Sequence, residues 1–508
     1  MTDGGRRANL AVVLEEAGAR AGRGRVAFLV GERIFTHGDV HDGAARTATV
    51  LAEAGVGRGD RVLVAVPDGI ELVWAFLGTV RLGALVLPVN PRVTPDDHRQ
   101  LLDVAGARTV VAGAELASRF ENRAHVVVAE GLEQDVAGAE PHPVVDVAAS
   151  DPAYAQFTSG TTGAPKAAVH RHGDPRVYFD AFARPALAGG PDDTLLSVSK
   201  MFFAYGLGNS LFFPLFAGCR AVLHAGHPRP DEVAALVRRH GVTVLFSVPT
   251  FYARLVGCED GGAWESLRAA VSAGEALTPA LAQRVRASLG CPVLDGLGST
   301  EVGQTFASNT LEQQRDGTVG RALRPYELAV RGEDGSDLPP GQRGTLWVRG
   351  PTVLLEYLGR PDATAAAKRG EWLSTGDLAT VEPDGFVRHQ GRVDDIEIVG
   401  GINVGPLEIE AVLARHPAVT EVAVVGVRDE LGASRLEAFV VPTPDANPDD
   451  VTAELVAMAR ASLAAYKVPR AVHFVDSLPR TPTGKLRRFV LRSGGWPPRA
   501  TTGGRTGT

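Results

Sequence analysis

The chain has 508 residues, 44% of them apolar, with 52 Lys plus Arg against 59 Asp plus Glu and a net charge of −7. That length exceeds one hydrophobic core and suggests about three to four structural units. Without a long basic run, this charge argues against nucleic acid and anionic membranes as partners. Cys219, Cys258 and Cys291 are scattered and form no C-x-x-C pair, which fits a reducing cytoplasm better than a disulfide framework or a zinc site. Residues 1–24 contain no apolar core of signal-peptide length, and nowhere do 18 apolar residues run together. A soluble cytoplasmic protein is the expectation.

In chain order, short apolar runs alternate with helical patterns. Arg61–Val66, Ala84–Val89, Thr109–Ala112 and Val242–Phe246 read as strands, and Leu72–Leu77 as part of a crossover helix between the first two. Continuous apolar strands alternating with helices predict α/β layers with mostly parallel sheets. Between them lies Thr158-Ser159-Gly160-Thr161-Thr162-Gly163-Ala164-Pro165-Lys166. Its glycines let backbone N–H groups approach an anion, its hydroxyls donate hydrogen bonds, and its lysine brings a mobile positive charge. The spacing is not that of a helix-opening Walker loop. Taken alone, such a Ser/Thr/Gly-rich stretch is more often a solvated turn.

Farther on, Asp295-Gly296-Leu297-Gly298-Ser299-Thr300-Glu301 is expected to follow a short strand, its glycines admitting a flat ligand and Glu301 suited to a divalent cation. After about residue 320 the texture becomes strand and turn, and Trp372-Leu373-Ser374-Thr375-Gly376-Asp377 offers a carboxylate for ribose hydroxyls. A second boundary follows Gly391. Beyond it, Pro406 opens a helix, strands are predicted at Val422–Val425 and Ala438–Val441, and another helix spans Val451–Leu463. Pro482-Thr483-Gly484-Lys485 puts one lysine on a tight turn, and the Gly, Pro, Thr and Arg rich stretch 493–508 is read as disordered.

Together and in this order, these segments resemble the adenylate-forming superfamily of acyl-CoA synthetases, adenylation domains and luciferases over nearly the whole chain. Ser199-Lys200-Met201-Phe202-Phe203-Ala204-Tyr205-Gly206-Leu207-Gly208-Asn209 and the stretch from Gly298 to Asn309 resemble the benzoate-CoA ligase group in particular. The resemblance implies an α/β fold with a large N-terminal domain (residues 1–391) of two α/β subdomains plus a small β-barrel. A hinge at 392–395 and a mobile α+β C-terminal domain at 396–492 would follow.

It also implies roles. ATP, Mg²⁺ and CoA would be the cofactors, and a small carboxylic acid the substrate. Thr158, Ser159, Gly160, Thr161, Thr162, Gly163 and Lys166 would fold over the outer phosphates, while Gly274, Glu275, Asp295, Gly296, Leu297, Gly298 and Ser299 would complete the nucleotide site. Thr300 would contact the α-phosphate, Glu301 hold Mg²⁺, Asp377 bind the ribose and Arg392 lie beside the nucleotide. Lys485 would bridge the carboxylate and α-phosphate, and Asp394 would be the hinge. Phe203, Ala204, Tyr205, Ser272 to Gly274, Gly296, Gly298, Val302, Gly303, Gln304 and Thr305 would wall the acyl pocket. Gly400 and Gly401 would line a passage for pantetheine, gated by Phe203, with Tyr466 and Arg470 meeting the CoA nucleotide.

The benzoate group usually carries larger apolar residues and a histidine where this chain has Gly303, Gln304 and Thr305. A smaller residue at Gly303 predicts a larger cavity, and Gln304 a partner for a hydroxyl or carbonyl. The expected substrate is therefore a bulky cyclic acid, either a polar-substituted arene or a polycycle. Ala167-Ala168-Val169 and Ile398 also depart from common family residues. Conversion of a supplied acyl-adenylate only, loading of a carrier-protein phosphopantetheine instead of CoA, luciferase-type oxidation, and a regulatory protein with a dead site remain alternatives. The sequence does not declare the oligomeric state; a homodimer is one reading.

Overall fold

A computed structural model describes residues 8–158, 165–258, 262–395, 397–399, 402–428, 434–443, 446–480, 486–493 and 496. The strand Arg61–Ala65 feeds the helix Ile70–Arg81, which returns the chain to the parallel strand Leu85–Pro88. Val62, Val64 and Val86 enter the large central core, whereas Leu63, Ala65 and Leu87 enter a second core on the opposite face. Successive strand side chains point to opposite faces, so a strand serving two cores has no polar face and reads as an unbroken apolar run.

Six strands form this first sheet, in the spatial order His125–Val128, Thr109–Ala112, Arg61–Ala65, Leu85–Pro88, Pro152–Thr158 and Lys166–Arg171. Only the last pairs antiparallel. The second sheet has nine strands. It runs parallel from Val293–Gly298 through Ala269–Ala273, Val244–Ser247, Thr194–Ser197 and Arg220–Leu223 to Val26–Val30, with antiparallel strands at both edges.

A five-stranded antiparallel sheet built from Glu327–Arg331, Arg343–Arg349, Lys368–Arg369, Trp372–Val381 and Val387–Arg392 forms the small β subdomain. The C-terminal unit has its own core of Ile409, Leu413, Val424, Leu436, Ala438 and Leu455. The helices Pro406–Leu413 and Pro448–Ser462 accompany a sheet of Val419–Arg428, Ser434–Pro442 and Ala471–Phe474. Among the described residues, no helix is long and apolar enough to cross a membrane.

Two local expectations are corrected. Asp295 to Gly298 lie inside the strand Val293–Gly298, not after a strand. Trp496, read from composition as part of a disordered tail, donates its indole N–H to the Ser477 carbonyl at 2.7 Å and packs against the small core that includes Val475 and Leu491.

Candidate functional site

Thr158 and Lys166 face each other as the last register pair of the hairpin Pro152–Thr158/Lys166–Arg171. The hairpin fixes both ends of the Ser/Thr/Gly-rich loop; Ser159, Gly160, Thr161, Thr162 and Gly163 themselves lie outside the described residues. Lys166 Nζ sits 5.3 Å from the centre of the Tyr357 ring, and the Tyr357 hydroxyl donates to Glu301 Oε1 at 2.9 Å. The Glu301 carbonyl accepts from Leu354 N–H at 2.8 Å. Lysine and carboxylate, more than a hundred positions apart in sequence, thus share one tyrosine.

The turn after the strand Val293–Gly298 is braced from behind. His170 Nε2 lies 2.8 Å from the Thr300 carbonyl, and because a carbonyl only accepts, that nitrogen carries the hydrogen. His170 Nδ1 lies 3.2 Å from the Tyr178 hydroxyl and 3.4 Å from Asp174 Oδ2, and the Tyr178 hydroxyl accepts from that of Tyr154 at 3.0 Å. Two positions on, the Val302 carbonyl accepts from Thr352 Oγ1 at 2.8 Å. Thr300 and Glu301 are presented on a backbone held at successive peptide groups, an arrangement suited to fixed electrostatic stabilisation.

The glycines here serve the protein's own packing. A Cβ on Gly298 would stand 2.8 Å from the Gln304 carbonyl oxygen, and one on Gly296 3.1 Å from Ser308 Oγ. They admit the neighbouring strand. Gly303 has φ +86°, and a Cβ there would fall 1.8 Å from the Tyr178 hydroxyl oxygen. Tyr178 occupies the space that a smaller residue was expected to release to the acyl pocket.

Gln304 is 2% exposed. Its Oε1 accepts from Thr305 N–H and Oγ1 at 2.9 and 3.0 Å, and its Nε2 donates to the Tyr205 carbonyl at 3.3 Å. The amide therefore props the Phe203-Ala204-Tyr205 segment, a use of its hydrogen bonds different from the expected pairing with substrate. Tyr205 in turn donates to the Val271 carbonyl at 3.2 Å.

Asp377 is 7% exposed, with His389 Nε2 at 3.3 Å and Arg392 Nη1 at 3.1 Å. Burial works against its ionisation, yet the hydrogen bond and charge of His389 and the charge of Arg392 prevail and hold its carboxyl below the usual range. Arg392 Nη1 also donates to the Thr375 carbonyl at 2.7 Å. It passes so close to Gly376, φ +71°, that a Cβ there would meet Nη2 at 2.7 Å. Asp295 is also buried, and burial pushes its carboxyl well above the usual range. Its Oδ1 has no hydrogen-bond partner among the described residues, while its carbonyl accepts from Asn309 N–H at 3.0 Å and Nδ2 at 3.1 Å.

Glu275 follows Gly274, whose φ is +88°. One carboxylate oxygen accepts from the backbone N–H of Thr250 at 3.0 Å and from its hydroxyl, and the other from Arg480 Nη1 at 2.7 Å. Asp394 lies in the short turn Val393–Asp395. Tyr466, 40% exposed, and Arg470 are at the surface of the C-terminal unit. Gly400, Gly401 and Lys485 lie outside the described residues.

As for metals, the described residues contain no group of three or more His, Cys, Asp or Glu able to hold an ion. A lone carboxylate such as Glu301 suits Mg²⁺, which is ordinarily held by one or two carboxylates together with substrate phosphates. Tyr357, His170, Tyr178, His389, Thr250 and Arg480 escaped the sequence reading, because each takes its role from a tertiary neighbour.

Residues 14–358 match the AMP-binding enzyme family and residues 408–485 the AMP-binding enzyme C-terminal domain. The p-hydroxybenzoic acid–AMP ligase FadD22 of Mycobacterium tuberculosis is 44% identical over 490 residues, covering 96% of this chain and 69% of that protein. Benzoate–CoA ligase of Thauera aromatica is 39% identical over 452 residues, covering 85% of this chain and 86% of that protein. Among solved structures, the anthranilate CoA ligase AuaEII in complex with anthranoyl-AMP superposes with a TM-score of 0.91 at 31% identity, covering 95% of this chain and 96% of the other.

Proposed function

Because this chain belongs to the AMP-binding enzyme family of the adenylate-forming superfamily, we propose that it activates a polar-substituted, single-ring aromatic carboxylic acid as acyl-AMP and passes the acyl group to a thiol, with CoA as the leading acceptor. The observation that carries the reading is the meeting of Lys166 and Glu301 at Tyr357, which joins the base of the phosphate loop to the expected metal carboxylate.

The acid is already ionised near neutral pH, so no base is needed to prepare it. Its oxygen attacks the α-phosphorus of ATP, a new P–O bond forms, and the bond to pyrophosphate breaks. Mg²⁺ bound with ATP would supply charge neutralisation on the phosphates. Lys166 adds positive charge at the loop, the braced Thr300 meets the α-phosphate, and Asp377 with Arg392 holds the ribose side. Lys485 neutralises the attacking carboxylate and the α-phosphate together. In the second step the thiol sulfur bonds to the acyl carbon, its proton passes to solvent, and AMP leaves. Turning of the C-terminal unit about Asp394 would withdraw Lys485 and bring Gly400 and Gly401 to a pantetheine passage lined with Phe203, Tyr466 and Arg470 serving CoA.

A single substituted ring is favoured over a polycycle because Tyr178 fills the volume beside Gly303. Polar substitution is favoured because similar proteins are named for p-hydroxybenzoic and anthranilic acids. A reducing cytoplasmic setting belongs to this reading, since Cys219 and Cys291 are buried thiols.

Transfer to a carrier protein is the second reading, favoured by the similarity to a protein named an AMP ligase and not a CoA ligase. Incubating the enzyme with ATP, Mg²⁺ and 4-hydroxybenzoate, then offering CoA and a purified phosphopantetheine-bearing carrier domain in parallel, separates the acceptors by mass spectrometry. The expected product is the aryl-CoA thioester. A loaded carrier with untouched CoA would overturn the leading reading, and no acyl product in either arm would overturn both.

A further inference from the structure

We propose that Arg480 is a positioning residue for adenylation: its guanidinium joins the C-terminal unit to the nucleotide-binding loop of the N-terminal domain by splitting its two arms between carboxylates of the two parts. This inference rests on the function proposed above.

Arg480 Nη1 donates to Glu275 Oε1 at 2.7 Å, and Nη2 to Glu421 Oε2 at 2.9 Å. Glu275 belongs to the loop after the strand Ala269–Ala273, and Glu421 to the C-terminal strand Val419–Arg428. The pairing is built, not incidental. Thr250, at the start of the helix Pro249–Leu255, holds the second oxygen of Glu275 with both its N–H and its hydroxyl. That helix packs against the strand that carries Glu421. The side chains of Arg480, Glu275 and Glu421 are only 26%, 21% and 17% exposed, so water screens them less than an open surface pair. Burial alone would lower the pKa of Arg480, but the two carboxylates prevail and raise it.

The position of Arg480 in the chain gives the contact its meaning. Arg480 pairs with Leu486 in an antiparallel bridge, and Arg487 N–H donates to the Pro479 carbonyl at 2.8 Å. These residues flank Lys485 in the sequence. Anchoring Arg480 to Glu275 therefore anchors the base of the lysine-bearing segment against the nucleotide side. A C-terminal unit that turns for thioester formation must give up the Glu275 arm and keep the Glu421 arm, because Glu421 travels with it. Arg480 thus favours the first half-reaction and is dispensable in the second.

The test compares Arg480→Ala and Arg480→Lys with wild type in two assays: acid-dependent ATP–pyrophosphate exchange, and thioester formation from synthetic 4-hydroxybenzoyl-adenylate and CoA. In R480A, exchange should fall about tenfold or more while thioester formation stays within about twofold. R480K, able to reach one carboxylate at a time, should recover part of the exchange. Glu421→Gln should show the same split more weakly. Unchanged exchange in R480A, or an equal fall in both assays with a lower melting temperature, overturns the positioning role. Wild type without exchange for any aromatic acid overturns the functional reading and the latch with it, an outcome distinct from a wild type that exchanges and an R480A that does so equally.

Discussion

Tyr357 donates its hydroxyl to Glu301 at 2.9 Å while its ring lies 5.3 Å beneath the ammonium of Lys166. One side chain thus orients the carboxylate expected to hold the metal and cradles the cation expected at the phosphates. Tyr357→Phe keeps the ring and removes only the hydrogen bond. Bonds to charged groups contribute about 1.5–3 kcal/mol, and about 1.4 kcal/mol corresponds to tenfold in rate. Exchange at limiting Mg²⁺ should fall about tenfold or more, with partial recovery as Mg²⁺ is raised and an almost unchanged melting temperature. Equal losses at all Mg²⁺ concentrations would remove Glu301 from the metal.

His170 fixes the Thr300 carbonyl through Nε2, a donor that Gln can approximate and Ala cannot. His170→Ala should slow adenylation by about fivefold, the value of one neutral hydrogen bond near 1 kcal/mol. His170→Gln should regain much of that. If both variants slow adenylation equally and melt equally lower, His170 serves packing alone.

Gly303→Ala should destabilise the fold without narrowing the range of acids. At φ +86° a side chain strains the backbone, and its Cβ overlaps the Tyr178 hydroxyl. The two effects together cost about 2 kcal/mol or more. Thermal melting should drop, and adding Tyr178→Phe should restore part of it. A stable G303A that rejects only larger acids would place that methyl group in the pocket and revive the reading of an enlarged cavity.

Asp377 links stability to acid pH. Its folded pKa lies below the ordinary carboxylate value, held there against burial by His389 and Arg392. The ionised group therefore contributes stability that is complete above the unfolded value of about 3.9 and is lost as pH falls through the folded one. Asp377→Asn lacks this contribution at neutral pH, so urea unfolding should show the largest gap from wild type near pH 7 and a shrinking gap below about pH 4. The same variant should raise the KM for ATP. A gap independent of pH would contradict the ion pairing.

What the sequence revealed and what it hid follow from where the partners lie. Arg61–Ala65 and Thr109–Ala112 were legible as strands because both faces are buried, leaving a local apolar signature. The Asp295–Gly298 segment was placed after its strand because glycine is a turn signal. In the fold, Gly298 is required by the close approach of the Gln304 backbone, and Gly376 by Arg392. The Thr158 to Lys166 stretch could be proposed for phosphate binding from its own residues. Tyr357 could not, since Glu301 stands 56 positions away, nor could Gln304, whose hydrogen bonds turn inward to Tyr205 and Thr305. Local chemistry was visible; the buried props were not, because they are defined only by tertiary neighbours.

Acid-dependent ATP–pyrophosphate exchange by the purified protein tests the central claim most directly. With 4-hydroxybenzoate, 2-aminobenzoate, benzoate and a straight-chain fatty acid offered separately, exchange should be strongest with a substituted benzoate, weaker with benzoate and near background with the fatty acid. Strongest exchange with the fatty acid or with unsubstituted benzoate would contradict the proposed substrate class, and silence with all four acids would contradict adenylation of a single-ring aromatic acid by this chain.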